Sequence, residues 1–303
     1  MPSLFRVRLR SDSIKAFWHR YSKNKAAVAG LTFLIFICLL ALLAPYISPY
    51  RLMDTTGSPL SPPSQIHLFG TDDLGGDTLT GVIWGSRASL VIGILTAGLS
   101  TIVGAVVGII AGYKGGVIDS LVMRSAEIVL VIPLFILAVV VIAFFGSSVV
   151  NTVLVIAALL WLGSARIARA EFIRLKPLDF VESARSTGLK DRSIIFSEIL
   201  PNAMGPIIVT WTLDVAWAIL TESGLSFIGL GDVNFPSWGV MLERSMHFMS
   251  QAWWMSVFPG LAIFFVVFSF NLLGDGLGDA LSPKLEKLEK AEVERWTPTL
   301  RLS

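Results

Sequence analysis

Charge is scarce in this sequence. Asp, Glu, Lys and Arg make up 15% of its 303 residues, against about 25% in soluble domains. Hydrophobic residues make up 54%, and the mean hydropathy is +0.72. That deficit excludes an ordinary soluble domain and makes lipid the expected solvent. Cysteine is scarcer still. Cys38 is the only one, so no disulfide can form within the chain. The three histidines, His19, His67 and His247, are scattered, and none stands in a metal-ligand spacing such as HExxH. No metal or other cofactor is therefore expected, and nothing points to nucleic acid. A GxxxxGK(S/T) phosphate loop is also missing, so the chain is not expected to hydrolyse ATP. No His-rich or Ser/His/Asp constellation falls within the apolar stretches, which argues against an intramembrane enzyme.

What is present is a set of long apolar runs. A membrane helix needs roughly 20 mostly apolar residues. Six stretches approach that: Ala26 to Ile47, Ala88 to Ala111, Val117 to Phe145, Val149 to Ala165, Ala203 to Leu225, and Met255 to Leu273. The expectation is an all-α integral membrane protein with six transmembrane helices. Lys and Arg fall unevenly between the spans. Seven precede the first span, two (Lys114 and Arg124) lie in the loop after span two and the start of span three, seven follow span four, and five are in the tail. The other side holds three: Arg51, Arg87 and Arg244. The positive-inside rule then puts both termini, and the loop after span four, in the cytoplasm. The basic leader is longer than that of a cleavable signal, so the first span is expected to be an uncleaved anchor. Within it Ile14, Phe17, Trp18 and Tyr21 recur at helical spacing. They predict an amphipathic helix along the inner membrane surface, the alternative being a disordered basic tail. The chain divides into a leader 1–25, a first span with its outer loop 26–87, a core 88–280 and a tail 281–303.

Several residues within the spans carry further expectations. Gly104, Gly108 and Gly112 form a small-residue stripe suited to close helix packing, first of all within the chain, with a subunit contact as the alternative. Pro133 should bend or break the third span. Asp214 lies mid-way along span five, and Glu222 lies further out. A charge in hydrocarbon costs at least ~2.5 kcal/mol, so both should face protein or water. Asp214 is a candidate pathway-lining residue, with a buried hydrogen-bonded structural role as the equal alternative. For Glu222 the structural role is expected. In the outer loops, Asp72, Asp73 and Asp77 lack calcium-loop spacing. Trp253 and Trp254 fit an interfacial aromatic belt, and Phe235 and Trp238 are expected to cap the bundle.

Between spans four and five stands "FVESARSTGLKDRSIIFSEILP", Phe180 to Pro201, inside the cytoplasmic loop 166–202. Val181, Ala184 and Gly188 recur at helical spacing, and Gly188 suits the left-handed residue that ends a helix. A short helix, a stop, a second short helix from Arg192 to Ile199, and then Pro201 opening span five are expected. A loop this long usually has a task, here docking.

"ESARSTG" followed by "EILP" resembles the EAA motif of the membrane subunits of bacterial ABC importers. Glu182, Ala184, Gly188, Leu200 and Pro201 match, while Ser183 replaces the first alanine. "KNKAAVAG", "FGTDDLGGD", "AGYKGG", "LSFIGLG", "PSWGVML" and "FNLLGDGLGDALSP" are similar to the oligopeptide/dipeptide/nickel branch, from Trp18 to Pro283. Gly76 and Gly278 stand where that branch usually has Arg, and Ser282 where Asp is common. The resemblance implies a type I ABC importer permease fold with a cytoplasmic coupling helix. It further implies pairing with a homologous second permease subunit as a heterodimer, two ATP-binding subunits that carry ATP and Mg, and an extracytoplasmic substrate-binding protein. Glu182, Ser183, Ala184, Arg185, Gly188, Leu200 and Pro201 are the expected ATPase-coupling residues. The substrate class runs from peptides, the leading choice, to nickel, glutathione, opines and sugars. A self-contained secondary transporter or channel is the alternative, for which Asp214 is the one good coupling charge.

Overall fold

The computed structural model describes residues 15–281 except Met53. Ile14, Ser282 and Pro283, with most of the expected leader and the tail, lie outside the described residues. Among the described residues the architecture is helical, with two isolated bridges, Thr55 with Gly76 and Thr71 with Asp77. A short helix α1 covers residues 15–21. It is followed by α2 (Lys25–Ile47), α3 (Thr78–Lys114), α4 (Gly116–Leu130), α5 (Leu134–Phe145) and α6 (Val149–Leu175). Then come α7 (Asp179–Ser186), α8 (Asp191–Ser193), α9 (Leu200–Leu225), α10 (Trp238–Ser245) and α11 (Trp254–Leu281).

Among the described residues five helical stretches are long and apolar enough to cross a membrane, one fewer than the expected spans. The expected third span is two shorter helices, α4 and α5, of 15 and 12 residues. Pro133 sits at the break as the N-cap of α5, where its missing N–H leaves no intrahelical bond unmade. Other helices outrun the apolar stretches that predict them. α3 begins ten residues before Ala88, and α6 continues ten beyond Ala165. Hydropathy marks only the part solvated by lipid, whereas backbone hydrogen bonding carries the helix on into water.

α3 is the central helix. Its 37 residues span roughly 55 Å at 1.5 Å per residue. The glycine stripe is the reason α6 can lie against it. A Cβ at Gly104 or Gly108 would collide with the backbone of Trp161 or Ala165, and one at Gly112 would stand 2.7 Å from the Arg169 carbonyl. The stripe is thus used inside the chain, as expected. α9 packs against α3, α6 and α11, burying Val215, Ala216 and Ile219 with Leu90 and Ala97 of α3. α2 closes the bundle against α11.

The start of α2 and the end of α11 lie together. Arg20 donates to the Ala280 carbonyl, and Asn24 donates to Asp279. Tyr21 is buried among Ala27, Ala280 and Phe17, so this part of α1 packs on the bundle, while Trp18 stays exposed. At the opposite end Trp238 is fully buried and donates from Nε1 to the Val82 carbonyl, as a cap of the bundle. Trp254 departs from the aromatic-belt expectation. It is buried and donates to the Thr71 carbonyl at 3.0 Å, which locks the α2–α3 connection onto α11. Trp253 is exposed.

Candidate coupling site and buried carboxylates

α7 stands at the end of the bundle where α3 and α6 finish and α9 begins. Asp179 and Glu182 occupy its first turn and Arg185 its last, signs that suit the helix dipole. It ends in a Schellman motif. The Gly188 N–H donates to the Arg185 carbonyl at 3.0 Å and the Leu189 N–H to the Ala184 carbonyl at 3.3 Å. Gly188 makes this possible at φ +78°, a region costly to residues with a Cβ. Nothing lies within 4 Å of a Cβ built there, so its role within the chain is conformational rather than steric.

The helix has two faces. Val181 is fully buried, and Ala184 packs beside it on a cluster of Tyr113, Ala168, Phe172 and Leu175 with Ile194 and Ile199. Leu200 joins the same cluster. The two halves of the motif, sixteen positions apart in Ala184 and Leu200, therefore meet on one core. The other face is exposed. It carries Glu182, Ser183 and Arg185, the first and last of these 3.9 Å apart. Phe180, Leu189 and Phe196 add exposed apolar surface, Phe196 at 64%. Pro201 is exposed at the start of α9.

The expected second short helix, Arg192 to Ile199, is not a separate element. α8 runs through a π-helical segment, Ile194–Ile199, directly into α9. There the Leu200 N–H reaches back to the Ile195 carbonyl. The wider π turn accommodates Pro201, which has no N–H to give, without ending the helix.

Five side chains missing from the expected set fasten this region. Tyr113 at the end of α3 donates its hydroxyl to Asp191 at 2.6 Å. Lys176 donates to the Tyr113 carbonyl at 2.6 Å and lies over its ring. Arg169 of α6 grips Asp119 of α4 through two nitrogens, one at 2.6 Å. The paired residues are 50 to 78 positions apart, and no local pattern pairs them.

The intramembrane carboxylates take hydroxyl partners rather than each other. Asp214 is 8% exposed and accepts from Ser164 at 2.8 Å; Ser164 in turn lies 3.5 Å from Thr101 of α3. Three helices meet there. Glu222 is 2% exposed and accepts from Ser226 at 2.7 Å, Ser237 at 2.6 Å and Ser223 at 3.4 Å. It clasps the far end of α9 to the N-cap of α10. Among the described residues no group of three His, Cys, Asp or Glu side chains is placed to hold a metal.

Two family models match the chain. "Binding-protein-dependent transport system inner membrane component" covers residues 104–287, and "N-terminal TM domain of oligopeptide transport permease C" covers residues 14–63. The dipeptide transport system permease protein DppC of Bacillus subtilis is 39% identical over 273 residues, 89% of this chain and 85% of the relative. The oligopeptide transport system permease protein OppC of the same species is 37% identical over 88% of each chain. The glutathione transport system permease protein GsiD of Pectobacterium atrosepticum is 37% identical over 92% of this chain and 95% of the relative.

Proposed function

The chain belongs to the family of binding-protein-dependent transport system inner membrane components, and from that membership we propose that it forms half of a pore for peptide uptake, driven through α7 by a separate ATPase. One observation carries the reading. α7 is a short rigid helix with one face sealed onto a core shared by α3, α6 and α9, and its other face presents Glu182, Ser183 and Arg185. A push on α7 is therefore a push on the spans beneath it, because packed elements move as rigid bodies. Gly188 ends the lever, Ala184 and Leu200 root it, and Pro201 starts the span it moves.

The remaining parts follow from this. By sequence, 21 of the 24 Lys and Arg residues belong to segments expected on the same side as the 166–202 loop, and the positive-inside rule favours a cytoplasmic α7 and cytoplasmic termini. Two ATP-binding subunits would dock there and carry ATP and Mg, this chain binding neither. α4 and α5 expose Ile128, Ile136, Phe144 and Phe145, an apolar surface suited to lipid and to a homologous second permease subunit. An extracytoplasmic binding protein would deliver substrate at the α10 end. Short peptides are the favoured cargo, since the relatives named above serve dipeptide, oligopeptide and glutathione systems.

The test compares Gly188→Ala with Gly188→Val in the assembled transporter. A Cβ at positive φ costs about 1–2 kcal/mol in alanine and more in β-branched valine, so the thermal transition of each variant without the ATPase reads that backbone cost, and only a loss of coupling beyond it counts for docking. If an ATPase surface covers α7, valine must cost clearly more than alanine, with dipeptide uptake and transport-linked ATP hydrolysis falling together. Membrane insertion stays intact. Wild-type coupling in the valine variant would refute the docking role.

A further inference from the structure

At the end of the bundle opposite α7 a cavity of about 230 Å³ opens between the α2–α3 connection, α3, α10 and α11. Its lining gathers cations at the end of the bundle that has few of them. Only three cations belong to this side, and two of them, Arg51 and Arg244, line this one cavity. Neither forms an ion pair among the described residues. Three carboxylates line it as well, Asp54, Asp72 and Asp77, of which Asp77 is already engaged by His67 at 3.0 Å and by Thr80.

Asp72 is held for use on one side only. Its Oδ1 accepts from the Leu74 N–H at 2.9 Å and the Gly76 N–H at 2.6 Å, while Oδ2 takes no hydrogen bond from the described residues. Burial pushes its carboxyl above the ordinary range, and the Gly76 and Leu74 amides, with Arg244 contributing least, pull it only partly back. Such a group is short of a positive partner. The wall beside it is open because residue 76 has no side chain; a Cβ there would stand 2.8 Å from Asp72 Oδ2. Thr78, 3% exposed and also in the lining, has a hydroxyl without a hydrogen-bond partner. A buried polar atom left this way costs free energy until something bonds it. Leu74 and Met241 supply apolar wall.

We propose that this cavity binds a small zwitterion of the amino-acid or dipeptide class, its carboxylate at Arg51 and Arg244 and its ammonium at Asp54 and Asp72. Both signs are needed. A simple anion would leave Asp72 Oδ2 unmatched beside a new negative charge, and a simple cation would face two arginines. Size narrows the class further: the volume lies below the ~300–1,000 Å³ usual for drug-sized ligands, so a longer peptide does not fit. The assignment rests on the import reading above and adds to it an outward-facing waypoint within this chain alone.

The test uses the purified full-length chain in lipid nanodiscs, without binding protein or ATPase, and radiolabelled L-alanyl-L-alanine. Saturable binding is expected. N-acetyl-dialanine amide, which carries neither charge, should not compete. Arg244→Gln should weaken binding by about tenfold or more, the loss of one charge-assisted contact. Gly76→Arg, which fills the cavity and neutralises Asp72, should abolish it. Arg87→Gln, at the same end but outside the lining, should leave affinity unchanged. An absence of saturable binding in wild-type chain with a normal thermal transition overturns the proposal. So does binding that survives both Arg244→Gln and Gly76→Arg, and competition by the uncharged analogue overturns the zwitterion assignment. Dipeptide uptake in cells with and without the chain separates the two readings. Chain-dependent uptake without cavity binding sinks the site alone, and cavity binding without chain-dependent uptake sinks the import reading alone.

Discussion

Glu222 and Asp214 are both carboxylates in the same membrane helix, and both are solvated by serine. Their burdens differ. Glu222 ties three hydroxyls from two elements, including Ser237, which also caps α10 through the Val240 N–H at 3.3 Å. Glu222→Ala leaves those hydroxyls without their acceptor, each costing about 1–3 kcal/mol when buried. The expected result is a clear fall in thermal stability, with Glu222→Gln falling less because its carbonyl oxygen still accepts. The reaction of a thiol probe with Cys38, the single cysteine, reads out the transition. At Asp214 the variant to make is Asn, which keeps an oxygen for Ser164 and removes the charge. If the side chain anchors the junction of α3, α6 and α9, Asp214→Asn retains full uptake while Asp214→Ala loses stability. That is the expected outcome, given one hydroxyl partner and 8% exposure. A selective loss of uptake in the Asn variant would instead put its charge on the pathway.

At the scale of elements, the contact between α3 and α6 decides the shape of the bundle. Without a hydrophobic drive between helices in lipid, close packing of small residues has to hold them. Gly108 and Gly98 give the comparison. A methyl at Gly108 meets the Ala165 backbone, which cannot rotate away, whereas one at Gly98 meets nothing within 4 Å. Gly108→Ala should destabilise by about 3 kcal/mol. Gly98→Ala should be neutral or stabilise by ~0.5–1 kcal/mol, the ordinary helix gain over glycine. Equal transitions for the two variants would show that the helix pair does not depend on the stripe. The same reasoning separates α7 from the long helices. Eight residues cannot hold a helix alone in water, so α7 exists because Val181 and Ala184 reach a core and Gly188 closes its end.

For the whole molecule the central question is which end faces which compartment. Single cysteines in a Cys38→Ser background answer it. Leu74→Cys, at an exposed position of the cavity end, should react with an impermeant maleimide in intact cells. Ser183→Cys should react only after permeabilisation, and less so when the ATPase subunits are co-produced. The reverse pattern would invert the entire arrangement. By itself the sequence determined the apolar spans, the charge asymmetry, the helix stop at Gly188, the break at Pro133 and the stripe on α3. These are properties of a few consecutive residues acting on backbone, water or lipid, so a local reading reaches them. Tertiary structure alone decided what the stripe packs against, and that Trp254 is buried while Trp253 is not. It also decided that Asp191 reaches Tyr113, that the π turn carries α8 straight into α9, and that Arg51 and Arg244 share one cavity. Those outcomes join residues up to 193 positions apart. They depend on which helix surfaces come together in space, and no local pattern of hydropathy or propensity encodes that choice.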